Sequence, residues 1–356
     1  VTGQRKARRA PFSFGKHKVQ AGSRASLALE LPGQSRYTPL SMPVHIVHGR
    51  KDGPTMFISA AIHGDEIGGI EIVRQLLKQK ALNRLRGTLI CVPVVNVYGF
   101  LNHTRYMPDR RDLNRSFPGS EHGSLAARVA HVFKTEILDR ADYGIDLHTG
   151  ANHRTNYPHI RANMEDEETA RLARAFNTAV IVNATLRDGS LRGCAVDQNV
   201  PVLLYEAGEA LRFESLAVSA GVRGILNVLG AVGMINRAVK RRPHVTVEAE
   251  TSHWVRAKRS GLIRNPIALG SHVEKGDRLA HLSDWLGDEE SEIKAMREGV
   301  VIGRTNLPIV NEGDALFHVA EFDNAEKAGK TVERFASSLE GLGEGDYVDP
   351  VVAEEE

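Results

Sequence analysis

The stretch that decides the fold is Thr55-Met56-Phe57-Ile58-Ser59-Ala60-Ala61-Ile62-His63-Gly64-Asp65-Glu66-Ile67. Its first eight residues form a nearly continuous apolar run between Pro54 and the His63-Gly64 break, the pattern of a strand buried on both faces. After Gly64 the period changes: Ile67, Ile70, Val73, Leu76 and Leu77 recur at helical spacing. A second apolar run, residues 89–97, follows the turn at Arg86-Gly87. Strand, helix and strand in this order predict a βαβ unit and hence a mostly parallel sheet.

The alternation continues outward. Helical spacing returns over residues 124–138 (Leu125, Val129, Val132, Phe133, Ile137), leads into a short run at 143–147, and recurs over 167–178. A strand at 200–205 and a helix through 222–239 follow. Past Pro243 the pattern becomes short strands between turns at Gly261, Gly270, Lys275-Gly276-Asp277, Glu298-Gly299 and Glu312-Gly313-Asp314, the signature of a small all-β module. Before residue 45 the strand-like pieces are interrupted by Gly and Pro, and residues 326–356 run to small and acidic types ending in Glu354-Glu355-Glu356. The expected organisation is an N-terminal β extension (1–44), an α/β domain (45–242), a smaller β module (243–325) and a frayed, solvated acidic tail (326–356). Residues 151–163 and 183–194 are expected to be loops that carry specificity.

Composition bounds the function. With 356 residues, 42% of them hydrophobic, the chain can bury one large core and a smaller second one. Lys+Arg 46 against Asp+Glu 44 leaves a net charge of +2, which lacks the basic footprint of nucleic-acid binding. Cys91 and Cys194 are too few for a disulfide framework; a reducing cytoplasm is the expected home. No run approaches the roughly 18 apolar residues of a membrane span, and the basic N-terminus lacks the apolar segment of an export signal.

The candidate chemistry lies at strand ends. His63 closes a predicted strand and Glu66 opens the next helix, so both can face the crevice at the carboxyl end of the sheet, where open α/β folds bind ligands. Imidazole with carboxylate suits zinc. A single His-x-x-Glu is a weak signal, and a second copy, His318 with Glu321, falls in a strand where odd spacing sends the two side chains to opposite faces. The first copy gains support from Ile145-Asp146-Leu147-His148-Thr149-Gly150, another strand ending in histidine, with Asp146 on the same face as His148 at period two. Taken alone, His148 is either a hydrogen-bonded core histidine or a ligand. Glu206, after the apolar strand 202–205, is either a neighbour of a helix N-cap or a catalytic base. His153 and His159 read as ordinary loop histidines, with the substrate entrance as the alternative. Trp254 and Trp285 read as core or interface of the β module.

Four motifs in order, His-x-x-Glu at 63–66, Asp-x-Asn-Arg at 112–115, Asp-Leu-His at 146–148 and Glu206, carry a resemblance over residues 45–240. The chain resembles the succinylglutamate desuccinylase/aspartoacylase family of the zinc carboxypeptidase-like superfamily. That resemblance implies a doubly wound mixed sheet, one Zn2+ per chain held by His63, Glu66 and His148, and Glu206 as general acid/base. It further implies a substrate carboxylate gripped by Asn114 and Arg115, with Arg105 polarising the scissile carbonyl and Arg110 in reserve for that role.

The expected reaction is therefore hydrolysis of an amide beside a carboxylate, with a small N-acyl amino acid or a short peptide as substrate. Neither a nucleic acid nor a membrane is an expected partner, and a homo-oligomer is allowed. A metallocarboxypeptidase would use the same residues. A different class, a carrier or binding module, is suggested by residues 261–319, which resemble biotinyl/lipoyl barrel-sandwich domains. In such domains the modified Lys follows Ala-Met, whereas here Ala295-Met296 precedes Arg297, so the module is expected to carry no attached group.

Overall fold

The computed structural model describes residues 9–33, 39–236 and 246–339. At its centre four parallel strands lie side by side: Val202–Glu209, Tyr143–Gly150, Lys51–Ala60 and Arg86–Val92. Their near-continuous apolar sequences are what a sheet covered on both faces requires. Ser41–His48 and Ser23–Glu30 extend one side antiparallel, and Arg154–Ala162 lies antiparallel on the other. The fold is mixed α/β, as the sequence predicts.

Alternate side chains of these strands enter two cores. Met56, Ile58, Leu89, Cys91, Ile145 and Leu147 pack with the helices Gly68–Leu77, Glu167–Phe176 and Ser215–Ala231 on one face. Phe57, Ile90 and Val92 pack with Leu125–Glu136 and Leu191–Val196 on the other. Period two along each strand makes this division. Ser59, Asp146 and His148 occupy the alternate positions on the second face, so the same geometry that fills the cores lines up the polar groups.

Arg154–Ala162 corrects the expectation of a loop over residues 151–163: it is a nine-residue strand inside the sheet. Against Val202–Glu209 it pairs His159 with Glu206 but Asn156 with Gly208, so three steps on one strand match two on the other. The extra residue falls at Tyr157-Pro158. A bulge is where a sheet tolerates proline, and it re-aims the side chains beyond it. Here it lets both Asn156 and His159 line the same cavity.

The β strands after residue 246 continue this sheet. Gly299–Thr305 pairs with Arg154–Ala162, followed by Ala315–Glu321 and Thr251–Arg256, giving thirteen strands in one sheet among the described residues. A second sheet of four strands, Glu290–Lys294, Arg278–Ser283, Gly261–Arg264 and Ile309–Val310, encloses a third apolar cluster around Val301, Leu316 and Phe317. The expected boundary at Lys240-Arg241-Arg242-Pro243 lies outside the described residues.

The expected solvated tail is corrected as well. Ala325–Ser337 is a helix whose Ala328, Val332 and Phe335 are buried in the first core. Those residues repeat at helical spacing and form one apolar stripe. Residues 340–356, including the terminal glutamates, lie outside the described residues.

Candidate active site

The central strands deliver the site at their carboxyl ends. After Lys51–Ala60 the chain turns through Ala61, whose φ of 49° is left-handed, and brings His63 and Glu66 over the sheet edge. Gly64 permits the turn, because a Cβ there would lie 2.0 Å from the Gly99 carbonyl carbon. Only glycine allows the 63–66 loop to rest on Val97–Leu101.

Glu66 stands between two histidines. His63 Nδ1 lies 2.7 Å from Oε1 and His148 Nδ1 lies 2.8 Å from Oε2. The opposite ring nitrogens also meet carboxylates, His63 Nε2 at 3.1 Å from Asp112 and His148 Nε2 at 2.9 Å from Asp146. Asp146 accepts from Ser59 Oγ at 2.7 Å, while Thr149 N and Arg105 Nη1 donate to Glu66 at 3.1 and 2.9 Å.

This arrangement tests whether a metal fits. A carboxylate only accepts, so a ring nitrogen facing one must carry a proton or share a cation with it. With carboxylates on both sides of both rings, either each histidine is doubly protonated or a positive ion replaces the protons between Nδ1 and Glu66. Accordingly, burial works to lower the His148 pKa, but Asp146 and Glu66 outweigh it and hold it well above the ordinary value. His63 is raised in the same way by Glu66 and Asp112 against burial. Burial opposes ionisation of Glu66, yet the two imidazoles keep its carboxyl well below the usual range. One ligand atom from each of His63, Glu66 and His148 lies within 4.8 Å of the others, the one such His/Cys/Asp/Glu group among the described residues. The donor set fits a metal, and the Asp146 contact on the far nitrogen of His148 is the outer support that metal-bound histidines usually have.

Glu206 is half-buried beside this centre, where strand register makes it the neighbour of His148 on one side and His159 on the other. Burial raises its pKa, with His148 and Arg161 opposing. Asn156 Nδ2 donates to Glu206 Oε2 at 2.8 Å.

A cavity of about 230 Å³ joins these groups. His63, Glu66, Arg105, Asn114, Arg115, His148 and Glu206 all line it, so the structure brings together the residues singled out in the sequence with one exception. Arg110 is exposed in a left-handed turn and does not line the cavity, which removes it as reserve; Arg105 reaches Glu66 and Asp112 instead. Asn114 Oδ1 accepts from Leu191 N at 2.9 Å. Its amide nitrogen is thereby left for the cavity.

Other lining residues escape the sequence reading. Arg161, Arg187 and Arg192 add positive charge, and no carboxylate lies within ion-pair distance of them or of Arg115 among the described residues. Burial, with Arg161 and Arg187 nearby, pulls the Arg192 pKa down to about 10. Trp254 is corrected from core or interface to cavity wall: it stacks on His318 at 4.7 Å with Arg154 5.3 Å from its ring. His318 lines the cavity without Glu321, which pairs with Arg297 and His253 instead. His159 is a buried wall residue with Nδ1 donating to Tyr157 O.

Fold and donor set together define a mixed α/β protein with a candidate metal centre at the carboxyl ends of its central strands. Residues 52–232, more than half of the chain, match the succinylglutamate desuccinylase/aspartoacylase catalytic domain, and the chain belongs to that family. It is 29% identical over 311 residues to the N-alpha-acetyl-L-2,4-diaminobutyric acid deacetylase of Halomonas elongata, covering 82% of this chain and 90% of that protein. Among solved structures it is similar to the product-bound ectoine utilization protein EutE (DoeB) of Ruegeria pomeroyi, at 26% identity and TM-score 0.77 over 87% of this chain and 98% of that one. The succinylglutamate desuccinylase/aspartoacylase of Rhodobacter sphaeroides matches at 26% identity and TM-score 0.75, over 84% and 96% of the two chains. No helix among the described residues is long and apolar enough to cross a membrane.

Proposed function

We propose that this chain is an N-acyl amino acid deacylase that hydrolyses the amide bond with one zinc ion held by His63, Glu66 and His148. The observation that carries the reading is the placement of Glu206: a half-buried carboxyl with a raised pKa, aligned by strand register beside the ligand His148. The family match and the names of the relatives, a deacetylase of an N-acetylated amino acid among them, support it.

Zinc, when bound, supplies Lewis acidity to a water molecule and to the scissile carbonyl. Glu206 takes the proton of the attacking water and returns it to the leaving amine nitrogen, a task for which a pKa above the usual carboxyl value is suited. Arg105, part-buried and held by Glu66 and Asp112, places its charge where the carbonyl oxygen becomes anionic. Asn114 and Arg115 fix the substrate carboxylate, and the planar guanidinium allows two parallel hydrogen bonds to it. Arg161, Arg187 and Arg192 give the rest of the cavity a positive field that draws in anionic substrates.

The test is metal content with turnover. About one zinc per chain, lost in His63→Ala and in His148→Ala, and amine release from a panel of N-acetyl and N-succinyl amino acids abolished in Glu206→Gln, are the expected results. A folded wild type that stays inert on the panel after zinc is added sinks the proposal.

A further inference from the structure

Three features of the strand Arg154–Ala162 converge on Glu206. The Tyr157-Pro158 bulge leaves both Asn156 and His159 on the cavity, where simple alternation would place only one of them. Asn156 Nδ2 donates to Glu206 Oε2 at 2.8 Å, and among the described residues no other hydrogen bond reaches that carboxylate. Asn156 is also the Cα partner of Gly303, from the neighbouring strand Gly299–Thr305. A Cβ at Gly303 would come within 2.9 Å of Asn156 Oδ1 and 3.1 Å of His318 Cβ. The carboxamide therefore occupies the space that a side chain at 303 would take.

We propose that Asn156 is the positioning residue of Glu206 and that Gly303, in the C-terminal β segment, provides the space in which it works. The inference rests on the reading of Glu206 as general acid/base. A carboxylate held at one oxygen by a fixed donor presents its other oxygen in one orientation, so Oε1 is left to receive and return the proton. The direction of the amide follows from the chemistry of its partners, since only the Nδ2 end can serve a carboxylate. Asn156 neither gains nor loses a proton in the cycle. The C-terminal segment thus acts on the reaction by shaping the general base and not by carrying a group of its own.

The experiment compares Asn156→Asp, Asn156→Ala, Gly303→Ala and Glu206→Gln in the full-length, zinc-loaded protein. The substrate is the N-acetyl or N-succinyl amino acid that the wild type turns over fastest. Asp has nearly the shape of Asn but, when ionised, cannot donate to Glu206. Both substitutions at 156 are expected to lower kcat about 10- to 100-fold, part of the roughly 100- to 10,000-fold that a general acid/base contributes, with KM changed less than twofold and zinc content kept. The acid limb of the kcat/KM profile is expected to move to higher pH in Asn156→Ala, because a donor to the ionised carboxyl has been removed. Gly303→Ala, which displaces the carboxamide without removing it, is expected to fall between these variants and the wild type. Wild-type kcat in either 156 variant overturns the inference, as does a loss that appears in KM or zinc content instead. If Glu206→Gln stays active, or the wild type is inert on the whole panel, the deacylase reading fails and the inference falls with it. If Glu206→Gln is dead while Asn156→Asp is active, the positioning role alone is rejected.

Discussion

His148 and Glu206 are Cα partners across the parallel strands Tyr143–Gly150 and Val202–Glu209. A candidate metal ligand and a candidate proton carrier are therefore set side by side by backbone hydrogen bonds, and no flexible loop intervenes. Sites built on strands hold tighter geometry than sites built on loops.

Asp146 holds the ring of His148 from behind and is itself held by Ser59. Asp146→Asn keeps the shape but removes the charge, and zinc affinity is expected to weaken about 10- to 100-fold, as is usual for partners of ligating histidines. Competition with a chromophoric chelator measures this. An unchanged affinity would show that His148 orientation does not depend on Asp146.

Proton linkage at the histidines gives a signed prediction for the metal-free protein. His63 and His148 have raised pKa values in the folded state, so their contribution is complete below the ordinary value of 6.5 and is lost as pH rises through the raised values. The Tm of chelator-treated protein is expected to fall as pH is raised above about 6.5, whereas zinc-loaded protein does not share that fall. A chelated Tm that climbs over the same window contradicts the assignment.

Arg115 lies on the cavity wall with no carboxylate partner among the described residues. Arg115→Lys keeps the charge and loses the fork, and is expected to raise KM about tenfold, or roughly 1.4 kcal/mol of binding, with kcat little changed. Steady-state rates on the preferred substrate decide it; an equal loss in kcat and none in KM would assign Arg115 to the transition state instead.

Phe335 anchors the last helix, fully buried, with its ring 6.4 Å from Tyr157 and Arg223 5.1 Å from its centroid. Phe335→Ala is expected to cost about 3–5 kcal/mol, the usual range for deleting a buried aromatic. Urea unfolding followed by tryptophan fluorescence reads this out. A loss under about 1 kcal/mol would mean that the helix is only loosely docked.

The central strands were legible as apolar runs, and His63, His148 and Glu206 stand where such runs stop, with Glu66 three residues after one of them; the roles expected of these four came from the resemblance carried by the ordered motifs and not from local pattern. Arg154–Ala162 was not. Its Arg154, Asn156, Pro158 and His159 break period two, since the bulge at Tyr157-Pro158 resets the alternation and cavity-facing positions carry polar groups for function. The cavity arginines were hidden for a related reason: Arg161, Arg187 and Arg192 are far from Arg115 in sequence, and only folding collects them. Trp254 could not be placed because its role depends on which strand the later segment joins. The helix Ala325–Ser337 was readable in the spacing of Ala325, Ala328, Val332 and Phe335, but the acidic residues beyond it obscured that pattern.

The pairing of Gly299–Thr305 with Arg154–Ala162 also orders events on the ribosome. Synthesis delivers His63, Glu66, His148 and Glu206 long before Trp254, Gly303 and His318, and nascent domains generally fold from the N-terminal side. The candidate metal donors thus precede the far wall of the cavity in the chain, and that wall is completed only when the last strands dock through contacts of large sequence separation.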